Sequence, residues 1–539
     1  MTMTKWCLFI LLSWQLYPTE STGSNTSQIH QAPTREEEDF QNHHDHDYNV
    51  TEYWFNCTID HFNFRPTTVP TFGLRYFVND DYYTPNGPVF FYAGNEADIL
   101  QFVKNSGFMF EAAQEFGAMV VFAEHRYYGK SNPFGDEYAL GKGYNISFLS
   151  VEQAMQDYNQ LNLHMRRKWK MPAGLSTPFI VFGGSYGGNL ALWMRLKNPN
   201  LWAGAVASSV TPLKHLLRET NGFTRIETEA YGNVSKECPD LVRQGWKELY
   251  ELAKEDPGKE VIAEALHLCD KHHVNPSNIH GWISGALETM VQYGYPYPTN
   301  FYNPVPGYPF KVACENMIKG ETGLGALYAA AAIYYNYTGQ AGDCFDFGSI
   351  LEASRKHWKR HGRFDYLAKI TTDMGNNAMD DMSTLMKGRI LTSLQDATDH
   401  AWGYQTCTEV YQPMPTDGVT DFELPYQPDQ ESYFANCQET WGVTPRPNWE
   451  EMYFMGIDIG SGSNIFITNG QVDPWRAAGI TELPKGSNPS IVTRTIAMGA
   501  HHFDLRGAHP MDPPAVTAVR NEEKEHMRKW IAEWAENHS

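Results

Sequence analysis

The chain has no CxxC pair, no continuous basic run and no apolar stretch approaching the ~18 residues needed to span a bilayer. Each absence removes a class of function. Without paired CxxC motifs, a zinc knuckle or a thioredoxin-like centre is not expected. Basic residues are also scarce: 42 Lys and Arg stand against 63 Asp and Glu, a formal net charge of -21. An acidic chain without a basic stripe is a poor partner for nucleic acid. No cofactor motif and no metal site is expected, and no membrane span after the N-terminus.

What is present points to export. Lys5 is followed by a short apolar stretch, Trp6 to Leu16, and then by mostly small polar residues from Thr19 to Ser24. This pattern predicts a signal peptide over 1–22. Glycosylation sequons begin at Asn25, Asn49, Asn56, Asn145, Asn233, Asn336 and Asn537. The expected localisation is the secretory pathway, ending lysosomal or extracellular, where disulfides are permitted. Of eight cysteines, Cys7 leaves with the signal. An odd number remains, so at least one thiol is free or pairs outside the chain.

Residues 23–52 are acidic and His-rich, including His43-His44-Asp45-His46-Asp47, with little apolar content. They read as a disordered, solvated tail, the His/Asp cluster being at most a weak metal binder. From Tyr53 the pattern changes. Val89 to Tyr92, Ala118 to Ala123, Phe179 to Phe182, Ala203 to Ala207 and Ile465 to Ile467 are short runs apolar on both faces. Such runs suit buried parallel strands. Phe102 to Phe116 and Val151 to Arg167 have helical periodicity between them. The alternation predicts an α/β fold in two parts, 53–211 and 426–539. The intervening 212–425 reads as a mostly helical cap.

Gly183-Gly184-Ser185-Tyr186-Gly187 fits G-x-S-x-G between a predicted strand and a predicted helix. That context is a nucleophile elbow. Serine needs a base, and this architecture supplies the order nucleophile, carboxylate, histidine. Asp473 follows the strand at Asn464 to Thr468. His501 follows the strand at Ile491 to Ile496. The expected triad is Ser185, Asp473 and His501, with His502 and Asp504 as nearest competitors. The expected oxyanion donors are the N–H of Tyr186 and those of the Gly94-Asn95 loop. Glu96, Tyr186, Trp475 and His502 are candidate substrate contacts. Glu96 reads either as a partner for a peptide amine or as a buried carboxylate shaping that loop.

These strings resemble a known family. Ile59-Asp60-His61-Phe62, Tyr92 to Glu96, Phe122 to Gly129, the Ser185 elbow, Trp441-Gly442-Val443, Asn469 to Trp475 and Gly499 to His502 are similar to the lysosomal prolyl exopeptidases: prolyl carboxypeptidase, dipeptidyl peptidase II and the thymus-specific serine protease. The resemblance spans about Tyr53 to Trp534. It implies an α/β-hydrolase fold with a helical cap, and settles His501 over His502 as the base. It implies disulfides Cys238–Cys314, Cys269–Cys344 and Cys407–Cys437, leaving Cys57 as the odd thiol, shielded by any glycan on Asn56. It implies short proline-containing peptides as substrates and a homodimer. Cleavage after proline at either peptide end fits. Tyr295 to Thr299 and Gly507 to Pro510 look like dipeptidyl peptidase II, whereas His526 to Trp530 looks like prolyl carboxypeptidase. The reading leans to release of N-terminal X-Pro dipeptides. Removal of the residue after a penultimate proline is the alternative; an esterase or lipase, and an inactive binding protein, are more remote.

Overall fold

A computed structural model describes residues 48–64, 69–135, 144–172, 174–300, 303–320, 322–339, 342–347, 394–456 and 458–538. The expected signal peptide, the His43–Asp47 cluster and the Asn25 sequon lie outside them.

The centre is an eight-stranded sheet in the order β1-β2-β4-β3-β5-β6-β7-β8. The strands are β1 (Thr51–Thr58), β2 (Thr71–Asn79), β3 (Val89–Ala93), β4 (Met119–Ala123), β5 (Phe179–Gly184), β6 (Gly204–Ser208), β7 (Ile465–Gly470) and β8 (Ile491–Ile496). β1 pairs antiparallel with β2, and β2 with β4; the remaining pairs are parallel. This is an α/β-hydrolase sheet.

Alternate residues of the central strands feed two cores. Phe90, Tyr92, Val120, Phe122, Ile180, Phe182 and Phe466 belong to one. Val89, Phe91, Met119, Val121, Val181, Ile465 and Ile467 belong to the other. Both faces are covered, which is why these strands read as continuous apolar runs. Helices α1 (Ile99–Asn105), α2 (Gly107–Phe116), α3 (Val151–Lys168) and α4 (Tyr186–Lys197) connect the first strands. The expected helix from Phe102 to Phe116 is two helices, because the backbone breaks at Ser106 (φ -117°, ψ 50°).

The tail boundary at 52 also needs correction. Thr51 and Glu52 open β1, and the Tyr48 ring stacks on Phe110 with centroids 3.8 Å apart. An aromatic surface that can be buried orders the last residues of an otherwise polar segment.

After β6 the chain becomes helical: α5 (Lys214–Glu219), α6 (Gly222–Val234), α7 (Glu237–Leu252), α8 (Asp256–Ala265), α9 (Pro276–Gln292), α10 (Pro309–Met317), α11 (Gly323–Tyr335), α12 (Leu394–Thr408), α13 (Gln430–Trp441) and α14 (Trp449–Phe454). The core of α6 to α11 is continuous with one sheet-face core. Ala401, Tyr404 and Tyr411 pack instead with the other, so the chain rejoins the sheet layer earlier than residue 426. α15 (Pro514–Asn537) closes the first face with Met527 and Trp530.

Disulfides join Cys238 to Cys314, Cys269 to Cys344 and Cys407 to Cys437, with Cα separations of 5.6, 5.1 and 5.4 Å. Cys57 is free and buried. Its thiol donates to Asp157 Oδ1 at 3.0 Å, while Asn56 beside it points outward and is exposed. Burial, aided by the Asp157 charge, pushes the thiol far above its usual range. A reactive thiolate is thereby disfavoured.

Candidate active site

β5 delivers Ser185 at the C-terminal edge of the sheet. Ser185 has φ +59°, a left-handed conformation strained for a residue with a side chain. The strain persists because the surroundings admit no alternative. A Cβ on Gly183 would stand 2.0 Å from the Gly187 oxygen, and one on Gly187 would stand 2.7 Å from the Ala93 oxygen. The Ser185 N–H donates to Ser208 O at 3.0 Å, and its carbonyl accepts from Asn189 N–H at 3.1 Å, starting α4.

Asp473 and His501 come from neighbouring strand ends. His501 Nδ1 donates to Asp473 Oδ2 at 2.7 Å, and both side chains are buried. Asp473 Oδ1 accepts from Trp475 N–H at 3.0 Å. This carboxylate therefore selects the imidazole tautomer whose Nε2 carries the lone pair. That Nε2 is buried and has no hydrogen-bond partner among the described residues. Buried polar atoms are rarely left so, and a base awaiting its proton is one reason for an exception. Ser185 stands on the adjoining turn. A Cβ on Gly184 would lie 3.1 Å from the His502 ring, and the His501 and His502 ring centroids are 4.5 Å apart. No hydrogen bond joins Ser185 Oγ to His501, a looseness common in ligand-free sites.

His501 is held from the cap side. Its N–H donates to Gln292 O at 2.9 Å, and its carbonyl accepts from Tyr295 Oη at 2.7 Å. Ser209 Oγ receives the His502 N–H at 2.8 Å. Sequence reasoning missed Gln292, Ser208 and Ser209, since nothing local marks a residue that grips a loop hundreds of positions away. Burial, then His501 and Arg506, holds the His502 imidazole well below its usual range. His502 is therefore a neutral neighbour.

Two of the expected contacts need correction. The Gly94 N–H donates to Ala123 O at 3.0 Å, extending the β3–β4 ladder, and is not free for an oxyanion. The N–H groups of Asn95 and Tyr186 meet no acceptor among the described residues. Asn95 lies against the elbow, its Oδ1 3.0 Å from a Cβ placed on Gly187. Its Nδ2 donates to the partly buried Glu96 at 2.9 Å.

The Tyr186 side chain is interior rather than a substrate contact. His125 Nδ1 donates to Arg126 O at 2.7 Å, so Nε2 is the acceptor of the Tyr186 hydroxyl at 3.1 Å. Gln405 Nε2 donates to the same hydroxyl at 3.0 Å. The motif Glu124 to Gly129 thus supports the elbow from beneath. Arg126 also bonds both Asp157 oxygens at 2.6 Å, pinning α3. Trp475 meets Phe223 of α6 edge-on, centroids 4.9 Å apart, in an apolar cluster with Leu217, Met414 and Ala478. Its buried Nε1–H has no acceptor among the described residues. Leu217, Phe223 and Ala478 are fully buried there, while Met414 and Trp475 are only partly buried.

Residues 57–523 match the family described as serine carboxypeptidase S28. Human lysosomal Pro-X carboxypeptidase is 34% identical over 494 residues, covering 90% of this chain and 89% of the relative. Prolyl carboxy peptidase like protein 5 of Caenorhabditis elegans is 32% identical over 513 residues, covering 91% and 92%. The mouse thymus-specific serine protease is 26% identical over 502 residues, covering 89% and 87%. An elbow serine, a buried Asp–His pair on the next strand ends and a match along nearly the whole sheet and cap lead to one statement: this chain belongs to the serine carboxypeptidase S28 family of serine peptidases.

Proposed function

We propose that the protein is a proline-directed serine exopeptidase with Ser185 as nucleophile, His501 as general base and then general acid, and Asp473 as the group orienting His501. The observation that carries this is the buried Asp473–His501 bond with a free Nε2 beside the Ser185 turn. Ser185 Oγ attacks the carbonyl carbon of proline while its proton passes to His501 Nε2. The tetrahedral oxygen takes the N–H groups of Tyr186 and Asn95. Collapse expels the leaving amine, which receives the proton from His501. Water then repeats the sequence on the acyl-enzyme.

The partly buried Trp475 and Met414, backed by that apolar cluster, are the proposed seat of the proline ring. Proline has a fixed φ and no N–H, so a flat apolar wall can accept it without leaving a donor unpaired. The names of the mammalian and nematode relatives support removal of the residue after a penultimate proline. The opposite direction, release of N-terminal X-Pro, is favoured by Glu96, a carboxylate beside the proposed oxyanion loop that suits a peptide amine. Mass spectrometry decides between them on two peptides, one with proline second from the C-terminus and one with proline second from the N-terminus. Cleavage of neither, with p-nitrophenyl esters hydrolysed, would favour an esterase. The same relatives support a lysosomal or secreted location.

A further inference from the structure

Beneath the proposed triad lies a chain of buried polar groups that the proton path does not use. It begins at Ser208, the last residue of β6, whose carbonyl accepts the Ser185 N–H. The Ser208 hydroxyl donates to Asp504 Oδ1 at 2.6 Å and accepts from Thr468 Oγ1 at 3.0 Å. Asp504 follows His501-His502-Phe503 on the same turn. Arg520 fastens that turn, donating to Asp504 O at 2.9 Å and to Phe503 O at 3.0 Å. One short path, Ser185–Ser208–Asp504, therefore ties the nucleophile turn to the histidine turn.

The far end of this path is unusual. Asp504 touches Glu523 of α15, and both are buried. Asp504 Oδ2 and both Glu523 oxygens find no donor among the described residues. The other groups facing the pair are Thr468, Ser208 and Arg520, with Glu522 farther off. Arg520 is itself engaged by Asp512 at 2.6 Å. Two ionised carboxylates in contact, out of water, would repel each other with orphaned oxygens on both. A single proton removes one charge and makes the missing bond.

We propose that Asp504 and Glu523 share one proton and act as a positioning pair, holding Ser208, and through it Ser185, in register with His501. Loss of that proton to solvent as pH rises separates the carboxylates and loosens the brace, so turnover falls on the alkaline side. Burial raises both carboxyls above their ordinary range, and for Glu523 the Asp504 charge adds to it, consistent with protonation at acidic pH. The inference rests on the serine-peptidase reading.

The test is the pH profile of kcat for wild type, Glu523→Gln and Asp504→Asn, on a peptide the wild type cleaves. Either amide supplies a permanent N–H where the shared proton stood. The expected result is kcat within about threefold of wild type at the wild-type pH optimum, with the alkaline limb moved up by about one pH unit or more. Glu523→Ala, which leaves Asp504 without its partner, should lower kcat about tenfold with KM little changed. Amide profiles that superimpose on wild type overturn the proposal. So does failure of both amide variants to fold at acidic pH, since each preserves the bond in question. Ser185→Ala run alongside separates the two ideas: activity retained there would sink the serine-peptidase reading itself, whatever the pair does.

Discussion

The backbone N–H of His501 donates to the carbonyl oxygen of Gln292, the last residue of α9, at 2.9 Å. The proposed base is thus gripped by the cap as well as by the sheet. Tyr295, just beyond that helix, completes the grip through its hydroxyl. Tyr295→Phe removes one buried hydrogen bond, typically about 1 kcal/mol, while keeping the ring. We expect kcat to fall by up to about tenfold, since ~1.4 kcal/mol in the barrier is tenfold in rate. Steady-state kinetics check this; a change confined to KM would mean that the grip serves binding instead.

Asp473→Asn should be far more damaging. The amide can still accept from Trp475 N–H, but it offers His501 the wrong partner and reverses the imidazole tautomer. Turnover should drop on the order of 10⁴-fold with the fold intact, and labelling by a fluorophosphonate probe should slow in parallel. Ser185→Ala should abolish labelling entirely.

Tyr186→Phe probes the strut beneath the elbow. It strands His125 Nε2 and one Gln405 N–H in the interior, a cost of about 1–3 kcal/mol. The melting temperature should fall by several degrees. If Tyr186 were a substrate contact, KM would move and stability would not.

His125 makes stability depend on acid. Burial holds its imidazole down at about 4 in the fold, against an ordinary value of 6.5. The folded state therefore binds fewer protons than the unfolded chain between those values. The contribution is complete above about 6.5 and is lost as pH falls towards 4 and below. His125→Gln should flatten that part of a melting-temperature profile. An unchanged slope would assign the acid sensitivity elsewhere.

Glu124 acts in the opposite sense. Burial, then the Asp98 charge, raises its carboxyl to about 7, only partly offset by Ser131 and Arg75. The folded state binds more protons than the unfolded chain between about 4.5 and 7. The associated stability is present below that window and declines as pH rises through it. Glu124→Gln should remove this decline. Together the two residues favour a fold most at home in mildly acidic surroundings.

Several elements were legible in the chain because their signals are local. The apolar runs at Val89, Phe179 and Ile465 are strands because both faces are buried. The elbow was legible because only glycines fit around Ser185, where a Cβ at Gly183 would strike backbone. β1 and β2 escaped notice. Their exposed outer residues, Thr51, Glu52, Thr71 and Gly73, dilute the apolar pattern, as expected near a sheet edge. Gly94 was misjudged as a donor, since only strand pairing reveals that its N–H is already spent on Ala123. Tyr186 was misjudged as a contact because a motif names a position without saying where its ring points.

By itself the sequence determined the kinds of chemistry available and their order along the chain: a strained serine, then a carboxylate, then a histidine, each after a strand. Those follow from steric rules that act over a few residues. Tertiary structure alone decided which groups are free. Whether an N–H faces an empty space or a neighbouring carbonyl, and whether two carboxyls such as Asp504 and Glu523 meet, depends on contacts between residues far apart in the chain. No local pattern encodes them, because hydrogen bonds and charges are settled by distance in space.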